Sequence, residues 1–162
     1  MTYLQTLFQT PGTRSFIPLM IMRIALGLFF FASGFNKVFV PENQALMLET
    51  ITDAGIPFPA FMAFFVAGCE TLFGLLMAAG FLTRLSALVL MIISLVALFT
   101  VGLHQIPANL NLLTWYSWLF YLPESAYIVI CLLLVVQGGG PLSVDRPVAE
   151  HLALRGHSLH AK

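Results

Sequence analysis

Residues 16–40, FIPLMIMRIALGLFFFASGFNKVFV, decide the fold. A helix crosses a hydrocarbon core about 30 Å thick with about 20 mostly apolar residues, and this run is long enough to do so. It is too long for a signal-peptide core and no small-residue cleavage site follows it, so it reads as a retained first span. Two basic side chains, Arg23 and Lys37, stand inside it or at its end. One such charge at a bilayer centre costs about 2.5 to 3.5 kcal/mol on insertion scales, so each needs a partner or a purpose. Arg23, Gly27, Phe30, Gly34 and Lys37 recur at helical spacing and share one stripe. Its two glycines let a neighbouring backbone approach closely.

The rest of the chain has the same character. Of its 162 residues 59% are hydrophobic and only 9% charged, with mean hydropathy +0.94. Soluble domains carry about 25% charged residues, so the composition is that of an integral membrane protein. Three further apolar runs, 60–80, 84–106 and 115–137, complete an all-α four-helix membrane bundle. Between the first two runs, residues 41–59 hold Pro41, Glu42, Glu49, Asp53, Gly55, Pro57 and Pro59 and lie outside the core. Leu46, Met47 and Ile51 face one way there and predict a short interfacial helix. Gly80 followed by Thr83 and Arg84 predicts a tight turn that makes spans two and three an antiparallel hairpin.

The fourth span is open at its start: Pro123 either begins it or kinks a longer helix. Trp115, Tyr116, Trp118 and Tyr121 gather before it as an interfacial aromatic belt does. Gly138-Gly139-Gly140-Pro141 ends the span. The four-helix domain thus covers residues 1–146, and 147–162 read as a polar tail. Arg14, Arg84, Arg146, Arg155 and Lys162 fall on the side of the termini, Glu42, Glu49 and Asp53 on the other. The positive-inside rule then places both termini in the cytoplasm of a bacterial inner membrane. Zero formal net charge and the lack of a basic patch argue against nucleic acid; the expected surroundings are membrane lipid.

Two more stripes carry acids. Ala63, Ala67, Glu70 and Gly74 line up on span two; Tyr121, Glu124, Ile128 and Cys131 line up on span four. Turned inward, the stripes bring Arg23, Lys37, Glu70 and Glu124 into the bundle. With a rise of about 1.5 Å per residue, Glu70 lies near mid-bilayer, Lys37 and Glu124 towards the outer side and Arg23 in the inner half. The pairs that fit by depth are Lys37 with Glu124, and Arg23 reaching outward to Glu70. Such charges either fix helix register or build a binding or proton-handling site. His104 reads as an interfacial histidine. The tail's His151, His157 and His160 lack metal-ligand spacing, so no metal is expected. Cys69 and Cys131 show no CxxC spacing, and no haem, flavin or nucleotide motif is present.

These residues resemble a known family. Arg23-Ile-Ala-Leu-Gly27 and Ser33-Gly34-Phe-Asn-Lys37 resemble the first helix of the DoxX family of small bacterial membrane proteins. Ala54-Gly55-Ile-Pro57, Glu70 with Gly74, and Gly80-Phe-Leu-Thr83-Arg84 are similar to its loop, second helix and following turn. Gly139-Gly140-Pro141-Leu-Ser143-Val-Asp145 is similar to its ending, so the resemblance spans about residues 14–146. The family is named from a subunit of an archaeal thiosulfate:quinone oxidoreductase, and other members look like partners of thiol-stress, quinone-stress or copper-peptide systems. The resemblance implies a four-helix membrane bundle working in redox chemistry beside the quinone pool, with Arg23, Lys37 and Glu70 carried over as site residues. Glu124 rests on its own position.

The leading expectation is therefore a bundle that binds quinone or another small redox ligand. Glu70 and Lys37 act as catalytic groups; Arg23, Glu124 and Tyr121 complete the ligand site. Electrons would come from a redox or metal-handling partner protein. The alternatives are a non-catalytic anchor or assembly subunit, and a proton-coupled transporter, for which a homo-oligomer could form the path.

Overall fold

The computed structural model describes residues 16–140 and 142–145. Arg14, Arg146, Arg155, Lys162, the three tail histidines and the segment 147–162 lie outside the described residues. Every regular element among the described residues is helical. They are α1 (Phe16–Phe39), α2 (Pro41–Asp53), α3 (Pro59–Ala79), α4 (Thr83–Thr100), a 3-10 turn (Gly102–Gln105), α5 (Leu112–Tyr121) and α6 (Pro123–Gln137). Three helices among the described residues are long and apolar enough to cross a membrane, and α5 with α6 has the length and hydropathy of a fourth only as a bent pair, a broken span or a re-entrant loop.

The bundle is built from two close pairs, α1 on α3 and α4 on α6, joined by the α3–α4 hairpin. Small residues determine the first pair. A Cβ on Gly34 would sit 2.5 Å from the Thr71 backbone nitrogen and 2.6 Å from the Ala67 carbonyl oxygen, and one on Gly74 would collide with the Phe31 backbone. The α1 and α3 backbones are therefore in direct contact, as glycine-lined membrane helices allow. Where the two pairs meet, Leu26, Phe30, Met77, Leu90, Cys131 and Leu134 form the core. Tyr127 of α6 packs its ring 4.8 Å from Phe29 and 5.5 Å from Phe30 of α1.

The hairpin turn is closed from a distance. Gly80 takes φ 76°, and its N–H and that of Phe81 return to the carbonyls of Met77 and Leu76. Leu82 then takes φ 49°, a left-handed conformation that a branched residue holds only under constraint. Asp145 supplies the constraint. Its carboxylate accepts from Leu82 N–H at 2.6 Å and Thr83 N–H at 2.9 Å, while its own N–H donates to the Gly80 carbonyl. The start of α4 is thus capped by a residue at the other end of the chain.

Pro123 begins α6, the first of the two arrangements left open by the sequence. The break at Leu122 bends α5 from α6 by 74°, and α5 buries none of its residues. The predicted short helix of the first loop is α2, which packs on both α1 and α3.

Candidate functional site

At the end of the bundle away from residues 16 and 145, α1, α2, α3 and α4 enclose a cavity of about 590 Å³. Its walls are mostly apolar: Leu46, Met47 and Ile51 of α2, Met62, Phe65 and Val66 of α3, Ile92, Ile93 and Val96 of α4. The predicted apolar face of α2 therefore faces this cavity. Polar groups are fewer, with Ser33, Asn36 and Lys37 on α1, Asn43 and Thr50 on α2, Glu70 on α3, Thr100 on α4 and Glu124 at the first turn of α6.

Lys37 and Glu70 form an ion pair among these polar groups. The Lys37 ammonium donates to both oxygens of Glu70, at 3.0 Å to Oε1 and 2.7 Å to Oε2. The carboxylate is almost wholly buried, its side chain 6% exposed, whereas that of Lys37 keeps 28%. The pair spans the α1–α3 contact, and the glycine packing puts it there. Gly34 lies level with Ala67 and Thr71, so Lys37, one turn further on, stands beside Glu70. A charge-assisted bond in a region poor in water is strong and directional, and both partners line the cavity.

This arrangement corrects the pairing expected by depth. Lys37 bonds Glu70 and not Glu124. Arg23 cannot reach Glu70, because eleven residues separate it from Gly34, about 16 Å along α1. Glu124 lines the same cavity and is partly buried.

Arg23 belongs to the opposite end. It is 2% exposed, its guanidinium rests against Gly80, and Nη2 donates to the Leu142 carbonyl at 3.4 Å. It therefore clamps residues 142–145 over the hairpin turn, next to the Asp145 cap, and takes no part in the cavity. Tyr121 is also absent from it. The 74° break turns α5 outward, where Tyr121 is 76% exposed and packs edge-on against Trp118. The inward stripe expected on span four begins only after Pro123, with Ser125, Cys131 and Leu134 buried. His104 is exposed on the 3-10 turn. Among the described residues no three His, Cys, Asp or Glu side chains come together.

The amides Asn36 and Asn43 escaped the sequence reading, since neither lies on a charged stripe; their only signal is a polar side chain beside a span end. Asp145 was legible only as part of an ending motif.

A family model described as DoxX matches residues 18–103, which hold α1 to α4, the cavity's apolar walls and the Lys37–Glu70 pair. The chain belongs to the DoxX family. A relative from Haemophilus influenzae, described only as an uncharacterized protein, is 34% identical over 138 residues, covering 83% of this chain and 85% of the relative. No solved structure matches. The match to the DoxX model stops before α5 and α6, so Glu124 lies outside the matched residues. Together with the apolar spans, membership makes this a multi-pass membrane protein in contact with lipid.

Proposed function

We propose that this DoxX-family protein binds a quinone, or another small redox-active ligand with a polar carbonyl head, in the cavity bounded by Lys37 and Glu70. The observation that carries the reading is the buried ion pair on the wall of an otherwise apolar cavity. Its 590 Å³ falls within the roughly 300 to 1,000 Å³ of small-molecule sites, where apolar walls with a few convergent polar groups are the rule. A flat carbonyl-bearing ring fits that donor set. Lys37 holds a carbonyl oxygen by hydrogen bond, Glu70 keeps the ammonium oriented and exchanges a proton at its carboxylate, and Glu124, on the same cavity lining, relays the proton. Asn36 and Asn43 offer further amide bonds to the ring's polar edge. A bound quinone takes up two electrons and two protons as it becomes the quinol; the electrons would come from a partner protein. Arg23 and Tyr121, which do not line the cavity, have no part in this ligand site.

The protein would lie in the bacterial inner membrane with its termini in the cytoplasm. Arg84 at one end of the bundle, and Glu42, Glu49 and Asp53 at the other, favour that orientation. A non-catalytic role as anchor or assembly subunit of an oxidoreductase or metal-handling complex is the second reading. It is favoured by α5, which buries nothing and leaves Leu112 and Leu113 more than 80% exposed.

Photolabelling tests the first reading. An azidoquinone activated on the purified protein in nanodiscs should mark peptides holding residues 33–37, 62–70 or 92–101, and excess unlabelled quinone should suppress the marking. Labelling confined to α5, or unaffected by competitor, would exclude a quinone site in this cavity.

A further inference from the structure

The α3–α4 side of the cavity is formed by residues that also face outward. Phe65 of α3 is 52% exposed, and Ile92 and Val96 of α4 are 52% and 46% exposed, yet all three line the cavity. The reason lies in how α3 uses its residues. Its small side chains, Ala63, Ala67 and Gly74, are buried with Glu70 along the stripe in contact with α1. Towards α4 it presents branched and aromatic residues, Phe65 and Val66, opposite Ile92 and Val96. The hairpin turns tightly at Gly80–Leu82, and at the other end of these two helices Phe65, Val66, Ile92 and Val96 line the cavity. From Met62 to Glu70 the α3 wall runs about 12 Å along the helix axis, within the depth of the hydrocarbon core.

Resting on the quinone reading above, we infer that the ligand is a quinone bearing a long apolar chain, which enters sideways from the bilayer and leaves its chain in the gap between α3 and α4. The head lies against Lys37 and Glu70; the chain passes Phe65, Ile92 and Val96 into lipid. Water-soluble entry from the α2 side is the poorer route, because Met47 and Ile51 of α2 cover that approach with apolar surface. The chain gains little affinity by leaving lipid for an equally apolar gap. Its role is to hold the ligand in the membrane at the depth of the opening.

Val96→Trp and Ile92→Trp test this by filling the gap. Both positions are about half exposed, so an indole there disturbs little packing. Phe99→Trp is the control, at a residue 62% exposed that does not line the cavity. Binding of a benzoquinone with a long isoprenoid chain, and of its chain-less analogue, is measured in nanodiscs as ligand per lipid. The wild type and Phe99→Trp should bind the two with similar affinity. In Val96→Trp and Ile92→Trp the long-chain ligand should weaken at least about tenfold while the chain-less one stays within about twofold. Equal binding of the long-chain ligand to all four proteins, or equal loss of both ligands in the gap variants, overturns the lateral route and leaves the quinone site standing. A phospholipid that occupies the gap and cannot be displaced by the chain also overturns it. Failure of the wild type to bind either quinone overturns both.

Discussion

Separating Lys37 from Glu70 should have unequal consequences on the two sides. Lys37→Met leaves a carboxylate 6% exposed, held deep in the α1–α3 contact without a cation. Breaking a buried pair in this way costs about 3 to 5 kcal/mol, and the 28% exposure of the Lys37 side chain places this case near the lower end, about 3 kcal/mol. Glu70→Gln leaves the ammonium instead, at the last turn of α1, where its flexible stem lets it reach the polar boundary. That loss should be about 1 kcal/mol, the worth of one hydrogen bond partly replaced. The double variant leaves no buried charge and should cost about 1 kcal/mol, which makes the coupling between the two positions about 3 kcal/mol. Reversible unfolding in mixed micelles measures all four proteins. Equal costs for the two single variants, or a double variant as unstable as both losses combined, would refute the buried-charge reasoning. The same cycle separates structure from function: the double variant should regain stability but not quinone.

Glu70→Gln alone should fold and insert yet lose quinol-linked turnover supported by the partner, by about 100-fold or more if its carboxylate carries the proton; unaltered turnover with normal expression would remove it from the mechanism. Gly34→Ala puts a methyl against the Thr71 and Ala67 backbones and should destabilise by about 1 to 3 kcal/mol, read as a lowered melting temperature in detergent. Asp145→Ala removes two N–H contacts at the start of α4 and should cost about 0.5 to 2 kcal/mol, with faster amide exchange at Leu82 and Thr83. Tyr121→Phe should leave quinone binding unchanged, because Tyr121 does not line the cavity.

Hydropathy and helical spacing made much of the architecture legible. The long apolar runs became α1, α3, α4 and the bent α5–α6 pair, and the stripe Ala63, Ala67, Glu70 and Gly74 is buried. The turn at Gly80 was legible because a left-handed helix end calls for glycine. Charge pairing was not legible, since it depends on the register between α1 and α3, and that register depends on which glycine meets which backbone. The helix rise places Lys37 and Glu124 towards the same side of the membrane; the Gly34–Ala67 contact brings Lys37 to Glu70. Tyr121 was misread for a local reason. Helical spacing was carried across Pro123, where the chain bends by 74° and the stripe restarts. Nothing near Leu82 in sequence announces Asp145, because that cap comes from the far end of the chain.

The central claim is that the Lys37–Glu70 cavity holds quinone, and the quinone content of the purified protein tests it most directly. Protein extracted in mild detergent is analysed by mass spectrometry of its bound lipids, beside Glu70→Gln and Lys37→Ala. The account predicts close to one quinone per wild-type chain and its loss from both variants. Wild-type protein that is folded and free of quinone, or variants that retain as much as the wild type, would contradict it.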